Sequence, residues 1–203
     1  MIVTPRTFTI AFTGASGMHY GIRLLEKILD SKNNVFLMYS QAAQIVAQQE
    51  IKLTLSSRIK ETEEFLNNHF KTKKGQLRIF GQKEWFAPVA SGSNLADAMI
   101  ICPCTMGTLA AISSGLAQNL IERAADVMLK ENRKVILVPR ETPFSATHLD
   151  NMQKLIRCGS VILPANPGFY HHPKSVQDLV DFVVARILDH INIEHSLIPR
   201  WGE

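Results

Sequence analysis

Gly14-Ala15-Ser16-Gly17 follows the apolar run Thr7–Phe12 and opens an amphipathic run over Ser16–Leu29. Small residues between a strand and a helix let backbone N–H groups approach a phosphate, and the helix N-terminus adds favourable charge. The same residues also make a tight turn, with Ser16 as N-cap. The spacing Gly14, Gly17, Gly21 is not G-x-G-x-x-G, and no Gly-Lys-Ser/Thr follows, so neither the dinucleotide fingerprint nor the P-loop is present. A second loop of small and hydroxyl residues, Cys102-Pro103-Cys104-Thr105-Met106-Gly107-Thr108, runs into another helical pattern. Two such loops in one small chain point to a shared anion crevice. Ser40 follows the next apolar run, where, taken alone, an N-cap role explains it better than a ligand does. Ala90-Ser91-Gly92-Ser93 precedes the run that leads into the second loop.

Charged residues add to this. Arg140-Glu141 comes directly after the apolar run KVILVP, where Arg140 can hold an anion. Glu141 beside it is either kept ionised by the arginine or poised as an acid/base by partial burial; the plainer alternative is an ion pair closing the strand end. Arg123 and Arg186 lie among apolar neighbours on helical patterns, and a half-buried arginine needs an anion partner. Lys130 lies two turns beyond Arg123. In Pro167-Gly168-Phe169-Tyr170-His171-His172-Pro173, Tyr170 can donate to a phosphate. The adjacent His171 and His172 read as a solvated loop and His19 as a helix-surface residue. Trp85 and Trp201 fall outside regular elements, as core fillers or as flat walls for a ligand.

The elements that position these residues alternate in type. Strands are expected at Thr7–Phe12, Asn34–Tyr39, Ala98–Cys102, Lys134–Pro139 and Ser160–Leu163. Helices are expected at Ser16–Leu29, Gln41–Gln49, Ser56–His69, Thr105–Ser114, Asn119–Lys130, Ala146–Cys158 and Ser175–Asp189, with Lys71–Gly81 as a charged connection. Continuous Val/Ile/Leu strands are buried on both faces, which indicates a parallel sheet. The βαβ alternation gives one α/β domain over residues 1–203, three-layered and doubly wound, with residues 190–203 as a terminal arm contacting another chain. Ligands of such sheets lie beyond the carboxyl ends of the strands, where the loops above fall.

The chain has 203 residues, 22 Lys plus Arg against 18 Asp plus Glu, and three cysteines. The mild positive balance suits a small anionic ligand, and without a basic stripe interleaved with aromatics there is no case for nucleic acid. No run is long enough for a membrane span, and the N-terminus reads as a first strand rather than a signal peptide. Cys102, Cys104 and Cys158 follow no zinc spacing and fit a reducing cytoplasm.

Taken together, TGASGMHYGIRLLE, ASGSNLADAMIICPCTMGTLAAISSGLAQNLIERAADVMLKE, VPRETPFSATHLDNM and PGFYHHP resemble the UbiX/Pad family of flavin prenyltransferases over nearly the whole chain. The resemblance implies a flavodoxin-like Rossmann variant that binds FMN and assembles as a homo-oligomer, often a dodecamer, with sites at subunit contacts. Such enzymes join reduced FMN to dimethylallyl phosphate without a metal, bridging N5 and C6 and releasing phosphate. The prenylated flavin serves UbiD-type decarboxylases, commonly in ubiquinone synthesis.

By position, the resemblance implies that Gly14, Ala15, Ser16, Ser40, Thr105, Met106, Gly107, Thr108 and Arg123 hold FMN, with its phosphate on the Gly14–Gly17 loop. Tyr170 and Arg186 would bind dimethylallyl phosphate. Ser16, Lys130, Arg140, Ser91 and Glu50 would surround that phosphate, Glu50 from a neighbouring subunit. Glu141 would be the acid/base, and Trp85 and Trp201 would flank the prenyl group, where their π faces favour allylic cation character. One departure stands out: the family usually reads Pro-Cys-Ser-Met-Lys-Thr where this chain has Pro-Cys-Thr-Met-Gly-Thr, so a lysine is missing at Gly107. Two rival readings are weaker. An FMN-dependent cysteine decarboxylase would carry a PxMNxxMW motif, which is absent. A flavin carrier would have no need of Lys130, Glu141, Tyr170 and Arg186.

Overall fold

The computed structural model describes residues 4–94, 96–200 and 202. Six strands form one all-parallel sheet: β1 (Thr7–Phe12), β2 (Asn34–Tyr39), β3 (Leu77–Phe80), β4 (Ala98–Cys104), β5 (Lys134–Pro139) and β6 (Val161–Ile162). Their order across the sheet is β3-β2-β1-β4-β5-β6. The chain winds outward from β1 in one direction and then from β4 in the other, so the order reverses between β1 and β4. A crevice opens at the carboxyl ends of the strands at such a reversal.

Seven helices cover the sheet: α1 (Met18–Asp30), α2 (Gln41–Ile51), α3 (Ile59–His69), α4 (Met106–Ser113), α5 (Leu120–Lys130), α6 (Ala146–Arg157) and α7 (Val176–His190). Alternate strand residues feed two cores, because successive side chains point to opposite faces. Phe8, Ile10, Phe12, Val35, Leu37, Ile100 and Cys102 pack with α1, α2, α3 and α7. Ala11, Met38, Met99, Ile101, Cys104, Val135 and Leu137 pack with α4, α5 and α6. Arg23 ties α1 to α7 through two hydrogen bonds to Asp181, at 2.7 and 3.0 Å.

The parallel three-layer architecture read from the sequence is present. One local reading changes. Lys71–Gly81 is not merely a connection, since it contains β3. That edge strand has only four residues, and the exposed Arg78 interrupts its apolar residues, so its pattern is too short to stand out. The stretch after α7 is tied to the body of the chain at its start. Ile191 and Ile193 are buried, Leu197 packs against the core, and Arg6 donates to the carbonyls of Ile191 and Asn192 at 2.8 Å each. Trp201 lies outside the described residues.

Close approach fixes α1 against the strands. A β-carbon on Gly21 would fall 2.5 Å from the Cys102 carbonyl oxygen and 2.8 Å from the Phe12 ring. Both neighbours belong to the core, and overpacking there destabilises. Gly21→Ala should lower unfolding stability by about 1–3 kcal/mol in denaturant titration; an unchanged midpoint would contradict this packing.

Candidate functional site

The β1–α1 loop leaves the sheet at Thr13 and reaches the helix through Gly17, whose φ of 114° is a left-handed conformation that glycine adopts without a β-carbon clash. Thr13 is buried. Its hydroxyl donates to the Pro103 carbonyl at 2.8 Å and accepts from the Thr105 N–H at 2.8 Å. That side chain joins the loops after β1 and β4, so the two small-residue loops do face one crevice. Gly14 lies against Ala42 of α2, and Ala15 is buried. Ser40 is the N-cap of α2, accepting from Ala43, and its own N–H donates to Phe12 at the end of β1. The FMN positions expected at 14–16, 40 and 105–108 therefore gather at neighbouring strand ends.

The two helix N-termini at the crevice differ. At α1, the Glu50 carboxylate accepts from the N–H groups of Gly17 at 3.0 Å and Met18 at 2.8 Å. Burial pushes this carboxyl up. The Ser16 hydroxyl, the two N–H groups and the nearby His19 more than offset that, holding it below the usual carboxylate range. The protein's own anion thus occupies the place expected to take the flavin phosphate. Glu50 comes from the same chain as Ser16, which corrects its expected supply by a neighbouring subunit.

At α4, the N-cap Thr105 accepts from the Thr108 N–H at 3.1 Å and its hydroxyl meets that of Thr108 at 2.9 Å. The first-turn N–H groups of Met106 and Gly107 have no intrahelical acceptor. Gly107 is exposed, with open space where its β-carbon would be. These donors can hold a phosphate.

Beside α1 an open cleft of 430 Å³ is lined by Ser16, Gly17, His19, Tyr20, Glu50, Arg140, Ala165, Val176 and Val180. Arg140 enters it from the end of β5. No ion pair links Arg140 to Glu141; the Glu141 carboxylate instead accepts from the Thr142 N–H at 3.1 Å. His19, expected at the helix surface, is in the cleft lining. Tyr20 and Thr13 drew no attention in the sequence: one lies inside the α1 pattern, and the other just beyond the strand expected at Thr7–Phe12.

Other expected residues do not reach the cleft within one chain. Lys130 ends α5 one short turn before β5 begins and pairs with Glu131. Ser91 precedes β4 and its hydroxyl meets Ser93 at 3.0 Å. Arg186 lies near the end of α7 and pairs with Asp189 at 2.8 Å. All three are toward the amino ends of the strands, away from the crevice. Arg123 is satisfied by the Ala90 carbonyl at 3.1 Å and Asp126 at 2.9 Å, so its anion partner is structural in this chain. Trp85 lies in the turn after β3, half exposed, outside the cleft lining. Tyr170 is on the loop between β6 and α7. His171, expected to be solvated, has its ring nitrogens buried, while His172 is exposed. Cys102 and Cys104 are buried thiols whose pKa values burial pushes up. Among the described residues no three His, Cys, Asp or Glu side chains form a group able to hold a metal, and no helix is long and apolar enough to cross a membrane.

The flavoprotein family profile matches residues 3–188. The flavin prenyltransferase UbiX of Pseudomonas aeruginosa is 53% identical over 98% of this chain and 95% of its own. A solved UbiX (PadA1) in complex with FMN and dimethylallyl pyrophosphate superposes with a TM-score of 0.87 at 36% identity, covering 98% of this chain and 99% of that one. A dodecameric FMN-dependent UbiX-like decarboxylase from Escherichia coli O157:H7 gives a TM-score of 0.84 at 37% identity, over 97% and 100%. The chain belongs to the flavoprotein family and, within it, to the UbiX flavin prenyltransferases.

The lowered pKa of Glu50 fixes the sign of a pH effect. A carboxyl group whose folded pKa is depressed stabilises the fold above its unfolded value, here 4.5. That contribution is lost as pH falls through the folded value. Glu50→Gln should therefore melt at lower temperature than the parent at pH 7, with the gap closing as pH drops below 4.5. A gap that stays constant down to pH 3 would contradict the ionised cap.

Proposed function

We propose that this protein transfers the dimethylallyl group of dimethylallyl phosphate to N5 and C6 of reduced FMN and releases phosphate. The observation that carries the reading is the pair of unlike anion subsites at one crevice. The first turn of α4 offers N–H groups and two hydroxyls without a protein carboxylate, and the Ser16–Glu50–Arg140 cleft offers a cation beside an ionised acid.

The α4 donors fit a mononucleotide phosphate, with Thr105, Met106, Gly107 and Thr108 holding it and Ser40 beside them. Without the family lysine at 107, that hold comes from backbone and hydroxyl groups. Gly14 and Ala15 would then lie along the flavin. Reduced FMN, once bound, supplies the electron-rich N5 and C6 that accept the prenyl group.

Phosphate monoanions and dianions leave slowly unless their charge is stabilised, so preorganised cations matter most at the leaving oxygen. Arg140 supplies one from this chain. Lys130 and Arg186, with Ser91, would come from neighbouring copies, which accounts for their position toward the amino ends of the strands in their own chain. Tyr170 would donate to the same phosphate. Glu50, whose carboxyl is held below the usual range, would accept protons in the cleft that it lines together with Ser16. Glu141 carries the acid/base role, protonating the leaving phosphate and later taking the C6 proton. Trp85 would flank the prenyl chain from its exposed position. Trp201 is assigned the same role by resemblance alone. A homo-oligomer, dodecameric like the E. coli relative, would complete each site. The product would pass to a UbiD-type decarboxylase in the cytoplasm.

The anaerobic reaction with FMN, a reductant and dimethylallyl phosphate tests this. Extracted flavin should gain one C5 prenyl unit with release of phosphate. Glu141→Gln should still bind FMN while turnover falls by about 10²–10⁴-fold, the usual scale for a lost general acid/base. Flavin unchanged with both the monophosphate and the pyrophosphate would overturn the reading.

A further inference from the structure

Three rings of the described residues meet at the loop between β6 and α7. Tyr170 meets Phe182 of α7 edge-on, with centroids 5.6 Å apart and planes at 78°. His171 stacks on the same Phe182 at 5.3 Å and 20°, and meets Tyr170 edge-on at 6.0 Å and 79°. These distances and angles are those of favourable aromatic pairs. Phe182 in turn packs against the buried core, next to Asp181, which is held by Arg23. The tyrosine ring is therefore referenced to α7 and, through α7, to α1 and the cleft.

Two further features show that this arrangement is specific. Gly168 faces the rings so closely that a β-carbon would fall 2.9 Å from Cε1 of Tyr170 and 3.0 Å from Cζ of Phe182. Both imidazole nitrogens of His171 are buried with no hydrogen-bond partner among the described residues. A buried donor or acceptor without a partner is unfavourable, so the imidazole stabilises this loop as a flat ring and not through its nitrogens.

We propose that Gly168, His171 and Phe182 are positioning residues that pre-set the Tyr170 ring for the phosphate of the allylic donor. This rests on the assignment of Tyr170 as a donor-binding residue. A loop whose binding side chain is ordered beforehand loses less conformational entropy when the ligand arrives. Gly168 leaves the ring its space, Phe182 supplies the wall, and His171 closes the stack from the side. Their effect is on donor affinity, transmitted through Tyr170, and not on the flavin subsite at α4.

The test is a set of steady-state measurements, at saturating reduced FMN, on Tyr170→Phe, Gly168→Ala, His171→Ala, His171→Phe and Phe182→Leu. The double variants of Gly168→Ala and His171→Ala with Tyr170→Phe are included, and melting temperature and FMN affinity are measured for each. Tyr170→Phe should raise KM for dimethylallyl phosphate on the order of tenfold or more, the scale for one hydrogen bond to a charged group. Gly168→Ala, His171→Ala and Phe182→Leu should raise the same KM several-fold, with kcat, FMN affinity and melting temperature close to the parent. His171→Phe should restore the parent KM, because the ring is kept and the nitrogens are dispensable. In the Tyr170→Phe background the other two changes should add almost nothing, since coupled residues are non-additive.

If Tyr170→Phe raises KM but the neighbours leave it unchanged, or multiply with it as independent sites, the positioning proposal is overturned and Tyr170 still binds the donor. His171→Phe behaving as badly as His171→Ala would overturn the ring-only role. A Tyr170→Phe variant with parental KM would remove the donor-binding assignment and the proposal with it.

Discussion

The hydroxyl of Thr13 holds the crevice together. It is buried where the strand order reverses, donates to the carbonyl of Pro103 and accepts from the N–H of Thr105. Thr13 also donates its own N–H to Pro103 at 3.2 Å. Strands β1 and β4 run side by side, but sheet pairing ends before their loops begin. Thr13 extends the contact by one step, so the N-termini of α1 and α4 open toward the same space. Each N-terminus carries positive partial charge. Two of them side by side would favour two anions, and the protein supplies one itself in Glu50.

That asymmetry organises the rest. With the N-terminus of α1 satisfied by Glu50, the first turn of α4 is the one that keeps donors for a phosphate. On the proposed function, the cleft beside α1 is left for the second phosphate, with Arg140 in its lining. Arg140 is the only Lys or Arg among the residues lining that cleft. Lys130 and Arg186 lie toward the amino ends of the strands and pair with local carboxylates. A leaving phosphate held by Arg140 alone would be poorly stabilised. On the proposed function, the cations of one chain would therefore be split between the two ends of the strands, and a neighbouring copy would bring the halves together.

Much of this was legible in the sequence because it is local or periodic. The continuous apolar strands β1, β2, β4 and β5 announced a parallel sheet, and the loops after β1 and β4 announced an anion crevice. What could not be read depends on contacts between distant positions. Glu50 was named through the resemblance alone; nothing local in the sequence shows that the fold brings it 2.8 Å from the Met18 N–H. The Ala90 carbonyl that accepts from Arg123 is 33 positions away, so the sequence shows an arginine in need of a partner without showing that one. His171 looked solvated beside His172 because Phe182, the ring it stacks on, comes eleven residues later, on α7. β3 was missed because a four-residue edge strand carrying an exposed arginine has almost no periodic signal.

The division between the two helix N-termini is the central claim, and Gly107→Asp tests it most directly. There is open space for the side chain, and a carboxylate in the first turn of α4 should stabilise the helix by about 0.3–1 kcal/mol, so the fold should not suffer. FMN and riboflavin affinities of this variant should be compared with those of the parent. The account predicts that FMN binding weakens sharply while riboflavin binding is unchanged, because only FMN carries the phosphate that the new charge repels. Parental FMN affinity, or equal losses for both flavins, would show that the phosphate is held elsewhere and would contradict the account.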